Sequence, residues 1–124
     1  MGYDVHITRK ENWFDEGEQL ITLQEWVDLI HKDSEMRLDN FAEANIGNGQ
    51  TLHVESEGLA VWHTYSKDGL NGNMAWFDYW NGTIKVKNPD TEILKKMWEI
   101  AQKLSAIVQG DECEIYDRNG NVVE

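Results

Sequence analysis

The sequence predicts an α+β protein: a two-layer sandwich whose mostly antiparallel sheet of five to six strands carries two helices on one face. Three observations predict it. Apolar and polar residues alternate with period two over 3–8, 51–56 and 83–87. Two other segments, opening near Thr22 and Asn88, carry apolar stripes of helical period. Glycine- and asparagine-rich turns punctuate the middle of the chain, where strands pair as antiparallel hairpins. The predicted order is β-α-β-β-β-β-α-β, in one domain over 1–124.

Residues 3–8 set Tyr3, Val5 and Ile7 against Asp4, His6 and Thr8, the pattern of a half-buried strand. A polar connector over 12–18 carries Trp13 and Phe14. Thr22 and Glu25 then form a capping box, in which the hydroxyl takes a first-turn amide and the carboxylate returns to the cap residue. Ile21 staples onto Trp26, and Leu23, Trp26, Val27 and Ile30 share one helical face. This helix ends near 33 or 34, with a short second helical turn over 35–38.

Gly47-Asn48-Gly49 reads as a turn before a strand at 51–56, and Glu57-Gly58 as a hairpin into an apolar central strand at 59–65. After a loop at 66–73 comes a strand at 74–80. Asn81-Gly82 suits a type I′ turn, since both residues tolerate positive φ. The return strand at 83–87 turns Ile84 and Val86 inward and Lys85 and Lys87 outward, which places it near an edge. Asn88 caps the second helix with Pro89 at its first position. Its stripe runs through Ile93, Met97, Ile100, Ala101, Leu104, Ile107 and Val108 to a terminating Gly110. A last strand at 113–116 and a turn at 117–120 follow, with a short return through 122.

Charge narrows the function classes. The chain holds 23 acidic and 11 basic residues, a net charge of −12, and its first 44 residues hold 11 acids against 4 bases. Phosphate backbones are repelled by such a surface, so no nucleic-acid partner is expected. A basic protein partner is favoured, because an acidic face steers its approach. No apolar run approaches the length that spans a membrane, and the opening lacks a signal-peptide core. Cys113 is the lone cysteine, which excludes an internal disulfide and a thiolate zinc site and points to a reducing cytoplasm. No cofactor motif is present, and no cofactor or metal is expected.

The opening 3–9 segment YDVHITR, the tryptophan-rich middle and the closing 110–116 segment GDECEIY together resemble small uncharacterised bacterial proteins. The resemblance spans most of the chain at the level of pattern. It implies a bacterial cytoplasmic origin and carries no activity or residue role with it.

Four groups of residues are candidates for function. His6, His53 and His63 would make a zinc or acid–base site only if strand register brought them together. Asp78 lies in a strand with Trp76 and Trp80 on its own face and Phe77 and Tyr79 on the other; a carboxylate among indoles is either hydrogen-bonded or raised in pKa, so it is the candidate acid. Trp62, Trp76, Trp80 and Tyr79 are the candidate ligand-binding aromatics, against the simpler expectation that they fill the core. Trp13, Asp15, Glu16 and Glu18 in the connector are the candidate partner contacts. The Asp68–Asn73 and Asp117–Asn121 loops lack the spacing of a calcium loop. The expected function is non-enzymatic binding through an acidic surface with tryptophan anchors, for example neutralisation of a basic toxin. The alternative is a small-ligand-binding protein or hydrolase using Asp78 and the strand histidines, with catalytic candidates Asp78, His6 and His63. Self-association into a homodimer through an uncovered sheet face is the third expectation.

Overall fold

The computed structural model describes residues 3–68 and 74–123, with the side chains of all of these except 41–46 and 54. The chain runs β1 (Asp4–Thr8), α1 (Leu23–Lys32), β2 (Met36–Leu38), β3 (Phe41–Gly47), β4 (Gln50–Glu55), β5 (Ala60–Trp62), β6 (Trp76–Trp80), β7 (Thr83–Lys87), α2 (Thr91–Lys103) and β8 (Ile107–Gly110). Six strands form one sheet in the order β2-β5-β6-β7-β1-β8, and β3 pairs with β4 in a separate two-stranded ribbon. Every ladder is antiparallel. The α+β class, with an antiparallel sheet flanked by two helices, is as the sequence predicts.

Both helices shelter the same side of the sheet. Trp26 and Ile30 of α1 and Ile93, Met97, Ile100 and Ala101 of α2 join one cluster with Val5, Ile7, Phe77, Ile84, Val86 and Val108 from the strands. Alternation along each strand delivers the second set to one face. Trp26 is fully buried, stacks on Phe77 with ring centroids 6.5 Å apart, and donates its indole N–H to the Gly58 carbonyl at 2.7 Å. The indole therefore enters the core with its one polar atom satisfied.

The helix termini follow local chemistry. Thr22 and Glu25 form the capping box, and Ile21, fully buried, sits in the core cluster with Trp26. Arg9 ties the end of β1 to both helices: it donates to the Leu104 carbonyl at 2.7 Å and to both Glu25 carboxylate oxygens at 2.9 and 2.6 Å. The guanidinium, helped by the Thr22 amide, holds the Glu25 carboxyl down at about 2. Lys96 of α2 is buried against the other end of α1, 2.9 Å from both Asp33 and Glu35, with its ammonium 5.8 Å from the Trp62 ring centre. Burial works against its charge, but the two carboxylates outweigh it and raise its pKa.

Several elements depart from expectation for identifiable reasons. Residues 35–38 join the sheet as β2 instead of making a helical turn, since Met36, Arg37 and Leu38 pair with Trp62, Val61 and Ala60. The unforeseen β3 captures β4, so residues 51–56 do not form a hairpin with β5. β7 is central, between β6 and β1, and not near an edge. Its Lys85 projects from the second face. Asp90 replaces Asn88 as the cap of α2, accepting the Ile93 amide at 2.9 Å. Asn88 instead adopts φ 49° and accepts the Tyr3 amide at 2.7 Å. The helix stops at Lys103 because Ser105 turns left-handed at φ 53°, and Ile107 and Val108 leave the helical stripe to form β8. The predicted 113–116 strand is reduced to bridges that join Gln109 to Ile115 and Tyr116 to Val122.

Candidate functional site

The second face of the sheet is built from the complementary half of each alternation. Register aligns Gln109, His6, Lys85 and Asp78 across β8, β1, β7 and β6. This face is not bare. Thr8, His6 and Gln109 are all buried, and Val61, paired with Arg37 and Trp76, is fully buried there too. The expected uncovered face is therefore partly roofed, and what remains is a groove.

Much of the roof is the connector after β1. Gln109, which is 2% exposed, accepts the Trp13 amide at 2.6 Å and donates to the Glu11 carbonyl at 3.2 Å. Asn12 and Asp15 close a tight turn, with Asn12 N–H on the Asp15 carboxylate at 3.0 Å. Trp13 lies flat on His6, ring centroids 4.1 Å apart and planes 6° from parallel, and its indole N–H reaches the Asp111 carbonyl at 3.3 Å. Phe14 meets the Trp13 ring edge-on at 5.4 Å and is 57% exposed.

Asp111 fixes the imidazole from the other side. Its carboxylate accepts the Asp4 amide at 2.9 Å and lies 2.9 Å from His6 Nε2. Burial pushes the Asp111 carboxyl up, but these hydrogen bonds and the neighbouring positive groups outweigh it, and its pKa falls. An ionised carboxylate only accepts, so His6 Nε2 carries the proton of this bond. Buried between indole and carboxylate, His6 serves as a support for Trp13.

Between this roof and the β6–β7 turn lies a groove of about 390 Å³. Asp4, His6, Thr83 and Lys85 line it from the sheet, Trp13, Phe14, Asp15 and Glu16 from the connector, and Trp80 and Asn81 from the turn; Lys10 and Asp111 complete it. The turn takes its place through Asn81-Gly82, with φ 48° and 81°. A Cβ on Gly82 would lie 2.5 Å from Leu20, so glycine is required by contact as well as by conformation. Trp80 emerges beside it 75% exposed, the most exposed large apolar side chain among the described residues.

The structure brings together His6, Trp13, Asp15, Glu16 and Trp80 from the sequence-derived candidates. It separates the others. Trp62 is in the helix-side core, stacked on Tyr65 and donating to Glu35, so it shares no cleft with Trp80. Tyr79 also packs on the core side and donates its hydroxyl to the Ile21 carbonyl at 2.7 Å. Trp76 is half-buried on the second face, outside the groove lining. Glu18 is exposed beyond it. Asp78 accepts the Ser56 hydroxyl at 2.8 Å and stands two strands, about 10 Å, from His6. His63 is held on the Ser34 carbonyl at 2.9 Å, and His53 lies in β4 of the separate ribbon, 3.8 Å from Glu55. The three histidines do not converge, and among the described residues no cluster of three His, Cys, Asp or Glu side chains is placed to hold a metal ion.

Gln109, Asp111 and Lys10 belong to the site and were not among the candidates. Gln109 was hidden because its strand continues the apolar stripe of α2. Asp111 follows a glycine in a loop and carries no local signal. The alternation Asp4-His6-Thr8 extends to Lys10 and would have pointed to it. No family model, curated protein or solved structure matches the chain. Among the described residues no helix is long and apolar enough to cross a membrane.

Proposed function

We propose that the protein is a binding module whose second-face groove receives a basic segment of another protein. The observation that carries this reading is Trp80, three-quarters exposed at the rim of a groove that also holds Asp4, Asp15, Glu16 and Asp111. An exposed indole over carboxylates suits a cationic side chain with an apolar stem: the ring attracts the charge, and burial of the stem adds area. The net charge of −12 steers such a partner inward. Masking the basic surface of a toxin is one concrete use of this chemistry, and a reducing cytoplasm fits the lone Cys113.

Titration calorimetry with an amidated octa-arginine peptide, against octa-glutamate, tests the reading. The arginine peptide binds, binding weakens as salt rises, and Trp80→Ala weakens it about tenfold or more. Equal affinity of wild type and Trp80→Ala, or no binding, refutes it. The enzymatic alternative requires Asp78 within hydrogen-bond reach of a histidine, and their two-strand separation gives it no support.

Self-association has a different basis. β3 has β4 as its only ladder partner among the described residues, so the ribbon keeps an uncovered edge. A homodimer built there would sediment as a species of twice the 14.4 kDa chain mass, in a concentration-dependent manner.

A further inference from the structure

One charge in the groove is unanswered. Lys10 lines it and is only 5% exposed, yet its ammonium makes no hydrogen bond or ion pair among the described residues. Its backbone amide is taken by the Thr8 hydroxyl at 3.0 Å, so the segment is fixed while the amine is not. The amine is also not sealed: among the described residues the one unpartnered side-chain polar atom fully shut off from solvent is Asp68 Oδ1. The stem is covered while the ammonium stays open to water with no protein acceptor, so an occupant that displaces that water must supply an acceptor in its place. Nearby carboxylates do not answer it. Among the described residues none of the groove's carboxylates, Asp4, Asp15, Glu16 and Asp111, forms an ion pair with its ammonium.

We propose that Lys10 donates to a main-chain carbonyl oxygen of the bound basic segment, fixing its register while a cationic side chain occupies the aromatic and carboxylate wall. This rests on the binding role proposed above and adds the chemistry of the occupant. A carboxylate on the partner would also satisfy Lys10. However, a second anion would face Asp15 and Glu16 in the same groove, whereas a carbonyl is neutral and every residue of a basic segment supplies one.

Charge counting and hydrogen bonding predict opposite outcomes, which makes the test sharp. Removing a lysine should tighten binding of a polycation if Lys10 acts only through its field. Donation predicts that Lys10→Met, which keeps the stem, weakens the octa-arginine amide about tenfold or more. Lys10→Arg, which retains a donor, should stay within about threefold, and matching urea midpoints would exclude a folding defect. Unchanged or tighter binding by Lys10→Met, alongside weakened binding by Trp80→Ala, overturns the Lys10 assignment and leaves the groove standing. Loss of the peptide by wild type removes both.

Discussion

The two faces of the six-stranded sheet are made from the same strands, one residue out of phase, and they differ in how they are finished. The first is closed by helices that present continuous apolar stripes, and its contacts are large and redundant. The second is closed by a connector held through a few directional bonds from Gln109 and Asp111. Apolar burial is nearly indifferent to orientation, whereas a hydrogen-bonded roof is specific in position and leaves gaps. The groove is such a gap. Stability therefore resides mainly on one face, and the proposed recognition on the other.

Two tryptophans test that separation most strongly. Trp26→Ala on the covered face should cost about 3–5 kcal/mol, measured as a loss of urea stability, because it opens a cavity and orphans the Gly58 carbonyl. Trp80→Ala on the second face should change stability by no more than about 0.5 kcal/mol while reducing peptide binding. A comparable cost at both positions would collapse the distinction. Lys96→Met should remove about 3 kcal/mol by taking from the buried Asp33 carboxylate the ammonium it is hydrogen-bonded to, again without affecting the groove. Asp111→Ala should cost about 1–3 kcal/mol and also loosen Trp13, since His6 Nε2 and the Asp4 amide both lose their acceptor. Its signature is a coupled loss of stability and peptide affinity, which the first three substitutions do not share.

The smallest effect concerns pH. Glu25 has its folded pKa depressed from 4.5 to about 2, so its contribution is present in full above the unfolded value and is lost as pH falls through about 2. Its partial exposure keeps that contribution modest. Glu25→Gln should flatten the acid limb of a stability-against-pH curve between about 4.5 and 2. An unchanged limb would remove the Arg9 link from the account of the covered side.

Legibility in the sequence divides along the same line. The covered face could be read because its signals are local and periodic: the 22–25 capping box, the alternation of β1, and the Asn81-Gly82 turn all involve residues within a few positions of one another. The groove could be read only in part. Trp13, Asp15, Glu16 and Trp80 stood out as aromatics and acids in polar surroundings, but the bonds that bring them together join Trp13 to Gln109 and His6 to Asp111, across about a hundred positions. Short-range patterns contain no register information of that kind, which is also why Trp62 and Trp80 could not be assigned to opposite sides. The helical stripe through Ile107 and Val108 misled for a related reason. Period alone cannot show that Ser105 reverses the backbone between them and Lys103.

The position of β1 between β7 and β8 has a consequence for biogenesis. During synthesis β1 has no neighbour until residue 83 is made, and Trp13 has no anchor until Gln109 follows it. β1 and the connector after it must therefore wait while the β3–β4 ribbon and the β2–β5–β6–β7 ladders pair with near neighbours, and high sequence separation of the β1 kind slows folding. The groove is the last feature to be completed, so any segment bound there meets a chain already folded.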